Sequence, residues 1–166
     1  MEPEPELRLD DELCFALYSA SRAATNAYRD ALADLGLTYT QFVTMLALWE
    51  DDGATVSALG TRLHLDSGTL SPLLRRLADT GLVERRRDTA DERRVTVHLT
   101  PRGHEIRSDV AQVQHRLHAS LDMTPDEVST LRSLAHRFCD AAARATRTPD
   151  RRPARDDGTP HQGAGR

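Results

Sequence analysis

At 166 residues, with 39% apolar and 29% charged side chains, the chain suffices for one domain with a real core, or for a small domain with helical extensions. No apolar run approaches the roughly 20 residues of a membrane span, and the acidic start MEPEPELRLDDE lacks the basic and then apolar pattern of an export signal. A cytoplasmic protein is expected, its two cysteines reduced or redox-active rather than joined in a structural disulfide. The net charge of -4 argues against nucleic acid only until its distribution is read: residues 1–14 hold six acids against Arg8, whereas residues 62–94 hold eight arginines against six acids. All 22 basic residues are arginine, a bias read as genome composition more than function.

From about Asp10 to Leu35, the apolar residues Leu13, Leu17, Ala20, Ala24, Ala27, Ala31 and Leu35 recur at steps of three and four, the stripe of a long, buried first helix. Gly36 follows it. Thr38 or Thr40 then caps a second helix, TQFVTMLALWED, that ends before Gly53. A short third helix carries Val56, Leu59 and Leu63 on one face, and Asp66 or Ser67 caps a fourth, GTLSPLLRRLADTG, with Pro72 expected within about its first turn.

After Gly81 the period changes from helical to alternating. Val95, Val97 and Leu99 fall on one face and Thr96, His98 and Thr100 on the other, so LVERRRDTADERRVTVHLT reads as a hairpin with a charged tip at DTADE. A fifth helix starts at Pro101 and runs to about Leu121, and a sixth is capped by Thr124, with Pro125, Asp126 and Glu127 in its first turn. Residues 1–9 form an acidic arm, 10–146 the domain, with about 54–100 as its central unit, and 147–166 a tail rich in Pro, Gly and charge that is expected to be disordered.

Two short helices joined by a tight turn, then a charged two-stranded hairpin, describe a winged helix-turn-helix: a mainly α fold with a small β-wing. The start of a recognition helix must approach base edges in the major groove, and Ser67, Gly68, Thr69, Ser71 and Pro72, behind Asp66, are small enough to let it. Arg75 and Arg76 lie about two turns along, placed for phosphates or a guanine edge, and Arg86 adds charge in the first strand. Asp91, Glu92, Arg93 and Arg94 form the wing tip, where an arginine can enter a narrow minor groove. Charge runs are usually solvated faces, but the order helix, turn, helix, basic hairpin is far more specific than any one cluster, so double-stranded DNA is the expected partner.

The stretch LDSGTLSPLLRRLADTGLVERRRDTADERRVTVHLTPRG resembles the winged-helix core of the MarR family of transcriptional regulators. There a D-x-R pair in the wing, matched by Asp91 and Arg93, lets the acid brace the arginine for the minor groove. LCFALYS and LTYTQFVTMLALWE resemble one branch, the organic-hydroperoxide-sensing repressors called OhrR, and the likeness covers about residues 8–145. It implies a homodimer joined through its N- and C-terminal helices on a pseudo-palindromic operator.

Cys14 then acquires a reason. Tyr28 lies 14 positions after it, near the same helix face but roughly 21 Å along the axis, so the two cannot touch within one helix. In a twofold dimer with crossed first helices, Tyr28 of one chain can approach Cys14 of the other, and Tyr39 can join it. The resemblance implies that arrangement: two partner-subunit tyrosines hydrogen-bonded to the reactive cysteine. Phenol donors and a helix N-terminus favour the thiolate that attacks a peroxide, while Asp10, Asp11 and Glu12 oppose it if near. Phe15, Leu17 and Tyr18 are expected to line an apolar pocket that prefers organic hydroperoxides, and the first product is a sulfenic acid.

Cys139 is the candidate resolving thiol, yet its separation of 125 residues from Cys14 departs from that branch's pattern. Its place after Phe138 fits a packed interface residue, with a low-molecular-weight thiol as the partner of oxidised Cys14. A thiol peroxidase is a rival, but no thioredoxin-like strand pattern accompanies the cysteine. A metal sensor is another, prompted by seven histidines, of which His115 and His118 share a helix face; two histidines are not a site, and neither a metal nor a cofactor is expected. A third rival is a MarR-type regulator released by a small aromatic ligand, independent of Cys14. DSGTLS lacks the G-x-S-x-G spacing of a hydrolase. The expectation is a repressor, not an enzyme, that releases DNA on oxidation of Cys14 and so derepresses a peroxide-detoxifying gene.

Overall fold

The structure is a computed structural model that describes residues 7–87 and 95–147. Six α-helices, α1 (Leu13–Ala31), α2 (Tyr39–Glu50), α3 (Val56–Leu63), α4 (Ser67–Asp79), α5 (Pro101–Ala119) and α6 (Pro125–Arg147), accompany two strands, β1 (Val83–Arg87) and β2 (Val95–Leu99). The described residues up to Leu121 form one compact unit and those from Asp122 a second, which is α6. No described helix is long and apolar enough to cross a membrane.

The starts of α2 to α6 are set by side chains that satisfy backbone N–H groups with no intrahelical acceptor, whereas α1 begins after Glu12 without a side-chain cap. Thr38 and Gln41 form a reciprocal capping box on α2. Thr55 caps α3, Asp66 caps α4 and Thr100 caps α5, each accepting from the backbone N–H three residues on. Glu127 accepts from the Thr124 backbone N–H at 2.7 Å while Thr124 Oγ1 accepts from the Glu127 N–H, a second capping box, on α6. The bonds from Thr124 hold the Glu127 carboxyl below the usual carboxylate range.

The core lies between α2, α4 and the hairpin. Phe42, Met45 and Leu48 of α2 meet Leu59 of α3, Leu70, Leu74 and Leu77 of α4, and Val83 and Val97 of the strands, closed on one side by Val110 and Val113 of α5. The two polar side chains buried among the described residues are satisfied: Gln41 in its capping box and Thr44 through its hydroxyl, which donates to the Thr40 carbonyl at 2.8 Å. Across the surface, the Arg62 guanidinium pairs with the Glu50 carboxylate and ties α3 to α2.

The hairpin is antiparallel, with Val83 opposite Leu99 and Arg87 opposite Val95. Its outer edge is not bare. Gly53 N–H donates to the Val97 carbonyl and Val97 N–H to the Ala54 carbonyl, both at 3.0 Å, and Thr55 bridges Thr96. Asp52 Oδ1 accepts from Leu99 N–H at 2.7 Å. Residues 52–55, ahead of α3, thus act as a short third strand that fixes the root of the wing to the helix-turn-helix.

Two expectations are corrected. The first helix runs over Leu13–Ala31 only, with short 3₁₀ turns at Leu9–Asp11 and Ala33–Leu35, because Glu12 and Leu32 leave the α path. Its apolar stripe is not buried within this chain: Leu13 is 59% exposed, Ala20, Ala24 and Ala27 are exposed, and Leu17, Ala31 and Leu35 are half-covered. Periodicity reports a stripe but not what covers it. Pro72 is the sixth residue of α4, in its second turn, since Ser67 already has helical geometry; its missing N–H leaves the Gly68 carbonyl without a helical donor on the exposed face.

Gly103 is the tightest point of the unit. A Cβ there would lie 2.1 Å from the Leu82 carbonyl oxygen, so only glycine lets the first turn of α5 approach the start of β1. The Gly103 carbonyl also accepts from Trp49 Nε1 at 2.8 Å. An exposed helical Gly→Ala change gains up to about 1 kcal/mol, but Gly103→Ala is expected to lose at least about 1–3 kcal/mol from overpacking, read as a lower urea midpoint. An unchanged or raised midpoint contradicts this packing.

A second expectation concerns Asp66. Its carboxylate accepts from Thr69 N–H at 2.8 Å and from the Thr69 hydroxyl at 3.1 Å, and these bonds hold its pKa below the usual Asp value. A depressed folded-state pKa means the contribution is complete above the unfolded Asp value and lost as pH falls through the folded one. Asp66→Asn keeps a good cap without the titration. The stability advantage of wild type over this variant, measured by urea unfolding, is therefore expected to shrink on acidification below the usual carboxylate range.

Candidate nucleic-acid interface and redox site

The α4 helix has two faces. Leu70, Leu73, Leu74 and Leu77 are buried, while Ser67, Gly68, Thr69, Pro72, Arg75 and Arg76 are exposed and Ser71 is half-covered. The small-residue start and the two arginines therefore share one solvent face, and no described acid forms an ion pair with either arginine. Asp66 and Thr69 are engaged with each other in the cap, so Asp66 orders the start of α4 and its carboxylate is committed there.

The turn before α4 carries a feature that periodicity missed. His64 ends α3 in the left-handed conformation, with φ at 54°, and Leu65 N–H returns to the Gly60 carbonyl at 2.9 Å. Ser57, Thr61, His64 and Ser67 line an open groove between α3 and α4, a row of hydrogen-bonding groups beside the α4 start. Their spacing on two separate helices gives no linear motif.

In β1, Arg86 pairs with the Glu84 carboxylate, and its carbonyl accepts from Thr96 Oγ1 at 3.3 Å. On the same face, His98 Nδ1 lies 3.7 Å from Asp52 Oδ2, and its Nε2 lies 3.0 Å from Thr96 Oγ1. The expected wing-tip residues Asp91, Glu92, Arg93 and Arg94 lie outside the described residues, as do 1–6 and 148–166.

Cys14 is the second residue of α1, exposed, at the end where backbone N–H groups are free. Tyr28 and Tyr39 are brought together elsewhere, roughly 21 Å along the helix from Cys14 by the rise of α1. Their rings are 5.2 Å apart, and Tyr28 stacks on Phe42 at 4.9 Å. Burial, with a smaller push from Tyr39, raises the Tyr28 pKa above the ordinary phenol value, so at neutral pH it keeps its proton and remains a donor. Its Oη lies 3.4 Å from His118 Nε2 on α5. His118, weighed from sequence with His115 as a metal pair, instead faces a tyrosine. Among the described residues no group of three or more His, Cys, Asp or Glu side chains is placed to hold a metal.

The expected peroxide pocket is open in the single chain. Phe15 is 39% and Tyr18 56% exposed, with ring centroids 6.5 Å apart, and Leu17 is half-covered. Arg22 donates to Tyr18 Oη at 3.0 Å and its guanidinium lies over the Tyr18 ring. Cys139 is exposed on α6 beside a half-covered Phe138, with Leu131 and Leu134 each 51% exposed on that helix.

Residues 27–110 match the family model described as transcriptional regulator SarA/Rot. The regulator TtmR of Methylorubrum extorquens is 46% identical over 119 residues, which span 72% of this chain but only 61% of that relative. The organic hydroperoxide resistance transcriptional regulator of Bacillus subtilis is 35% identical over 76% of this chain and 86% of its own length. Among solved structures, reduced AbfR bound to DNA superposes with a TM-score of 0.76 at 29% identity, covering 84% of this chain and 95% of that one. MarR superposes with a TM-score of 0.67 at 31% identity, over 80% and 99% of the two chains. The chain belongs to the SarA/Rot and MarR-type family of transcriptional regulators, not to a family of enzymes.

Proposed function

We propose that this protein is a homodimeric repressor that binds a pseudo-palindromic DNA operator through α4 and its wing, and releases it when an organic hydroperoxide oxidises Cys14. The observation that carries the reading is the division of the redox residues. Tyr28 and Tyr39 sit side by side at one end of α1, Tyr28 with its proton retained, while Cys14 stands exposed at the other end beside Leu13, Phe15 and Tyr18. A second copy with its α1 crossed over the first covers the exposed stripe and delivers its own Cys14 to the tyrosine pair. The Bacillus subtilis relative regulates organic hydroperoxide resistance, and AbfR has been solved in reduced, overoxidised and disulfide forms, which supports the same chemistry here.

In that arrangement two phenol O–H groups donate to the Cys14 sulfur and favour the thiolate. The thiolate attacks the terminal hydroxyl oxygen of the hydroperoxide; the S–O bond forms, the O–O bond breaks, and the alkoxide takes up a proton and leaves as the alcohol. Cys14 becomes a sulfenic acid, the charge that held the two phenols is lost, and the subunits rearrange so that the paired α4 helices no longer match successive major grooves. A low-molecular-weight thiol then caps Cys14, with Cys139 kept as an interface residue.

The test is a gel-shift titration with DNA from upstream of the protein's own gene. Wild type is expected to dissociate in cumene hydroperoxide and to rebind after thiol reduction, Cys14→Ser to stay bound, and Cys139→Ser to respond as wild type. Release of the Cys14→Ser variant by peroxide sinks the redox reading. Release of both proteins by a small aromatic acid, with indifference to peroxide, establishes the ligand-released alternative. Arg93→Ala is expected to weaken binding by about 1 kcal/mol or more, because its guanidinium no longer enters the minor groove, measured by the same titration.

A further inference from the structure

Three consecutive arginines, Arg85, Arg86 and Arg87, occupy the end of β1, and the strand divides them. Successive side chains of a strand point to opposite faces, and residues directly opposite in an antiparallel pair share a face. Arg85 stands opposite Val97 and Arg87 opposite Val95, whereas Arg86 stands opposite Thr96 and Glu84 opposite His98. Arg85 and Arg87 therefore continue the face whose Val83, Val97 and Leu99 join the α4 leucines in the core. Arg86 belongs to the other face, with Glu84, His98 and Asp52.

The two faces differ in charge as well as direction. On the Arg86 face the cation is matched by the Glu84 carboxylate it pairs with. On the other face Arg85 and Arg87 are exposed, about 6.7 Å apart along the strand, and no described acid pairs with either. Arg75 and Arg76 on the exposed face of α4 are likewise without an acid partner among the described residues. A guanidinium with its five donors uncommitted is suited to a phosphate, which it can bind with two parallel N–H bonds.

We propose that Arg85 and Arg87, rather than the adjacent Arg86, bind backbone phosphates of the DNA duplex that receives α4, extending the positive surface of Arg75 and Arg76 from the recognition helix onto the wing. This rests on the DNA-binding reading above and adds two phosphate-binding side chains to it. The pair holds the register of the duplex without reading bases, since phosphates carry no sequence information. Arg86 instead serves the hairpin through Glu84.

The experiment measures DNA affinity by fluorescence anisotropy across a salt series, for the full-length protein and its Arg85→Ala, Arg87→Ala, Arg85→Ala/Arg87→Ala and Arg86→Ala variants. The probes are a labelled duplex from upstream of its own gene and an unrelated duplex of equal length. Removing one arginine from a phosphate lowers the slope of log K against log salt by about 0.9. Each single variant at 85 or 87 is expected to show about that decrease and the double variant about twice it, on both duplexes alike. Arg86→Ala is expected to keep the wild-type slope, and Arg85→Lys and Arg87→Lys to restore it. Unchanged slopes at 85 and 87, or a lowered slope at 86, overturn the assignment while leaving DNA binding intact. Wild type that binds neither duplex overturns the DNA-binding reading and this proposal with it.

Discussion

The close approach at Gly103 organises the unit that carries the site. Thr100 N–H donates to the Leu82 carbonyl at 3.1 Å, the Thr100 hydroxyl donates to the Gly81 carbonyl at 2.6 Å, and Trp49 reaches the Gly103 carbonyl from α2. Three segments thus meet at one place: the exit of α4 into β1, the start of α5 and the end of α2. Gly81, with φ at 72°, makes the turn out of α4. The direction of the recognition helix and the root of the wing are both fixed there, through backbone groups and an indole that leave little slack.

The same α5 leads away from that junction to His118, and α2 leads back to Tyr39 as its first residue. Two rigid helices therefore run from the wing root to the tyrosine cluster, α5 covering roughly 22 Å between Gly103 and His118. Under the proposed oxidation this matters, because a change at the tyrosines reaches the wing only through elements that move as bodies. Phe42, stacked on Tyr28 and buried in the core, is the side chain on α2 through which the aromatic cluster and the core are continuous.

What the sequence made legible followed local chemistry. The cap at Thr124 was readable, and those at Thr38 and Asp66 each as one of two candidates, because a capped helix start needs an acceptor at a set offset. Pro101, and not the Thr100 cap, marked the start of α5, and the hairpin was legible because Val95, Val97 and Leu99 alternate. What escaped depended on interactions between distant segments. Residues 52–55 pair with β2 over too short a run for any period to register, and His118 is a single polar residue whose partner lies 90 positions away. Pro72 fell one residue deeper into α4 than expected, and so into its second turn, because Asp66 and not Ser67 is the cap and the helix starts at Ser67. Tyr28 and Tyr39 were paired through a family resemblance; 11 positions across a helix break carry no signal of their own.

The exposed leucines of α1 and α6 and the division of the β1 arginines express one principle from opposite ends. Exposed Leu13, Phe15 and Tyr18 at the start of α1 cost free energy in water that scales with apolar area, so they ask for an apolar partner, while guanidinium groups without an acid partner among the described residues cost nothing in water and wait for an anion. Between them the core from Phe42 to Val97 is closed and its polar groups are satisfied. The single chain is thus complete in its interior and incomplete at two kinds of surface. The apolar one suits a second copy of the chain, since the exposed Leu13, Phe15 and Tyr18 and the tyrosine pair lie on the same molecule at separate ends of α1. The cationic one suits a polyanion, since strand geometry, and not composition alone, sets Arg85 and Arg87 apart from the acids of their neighbour's face.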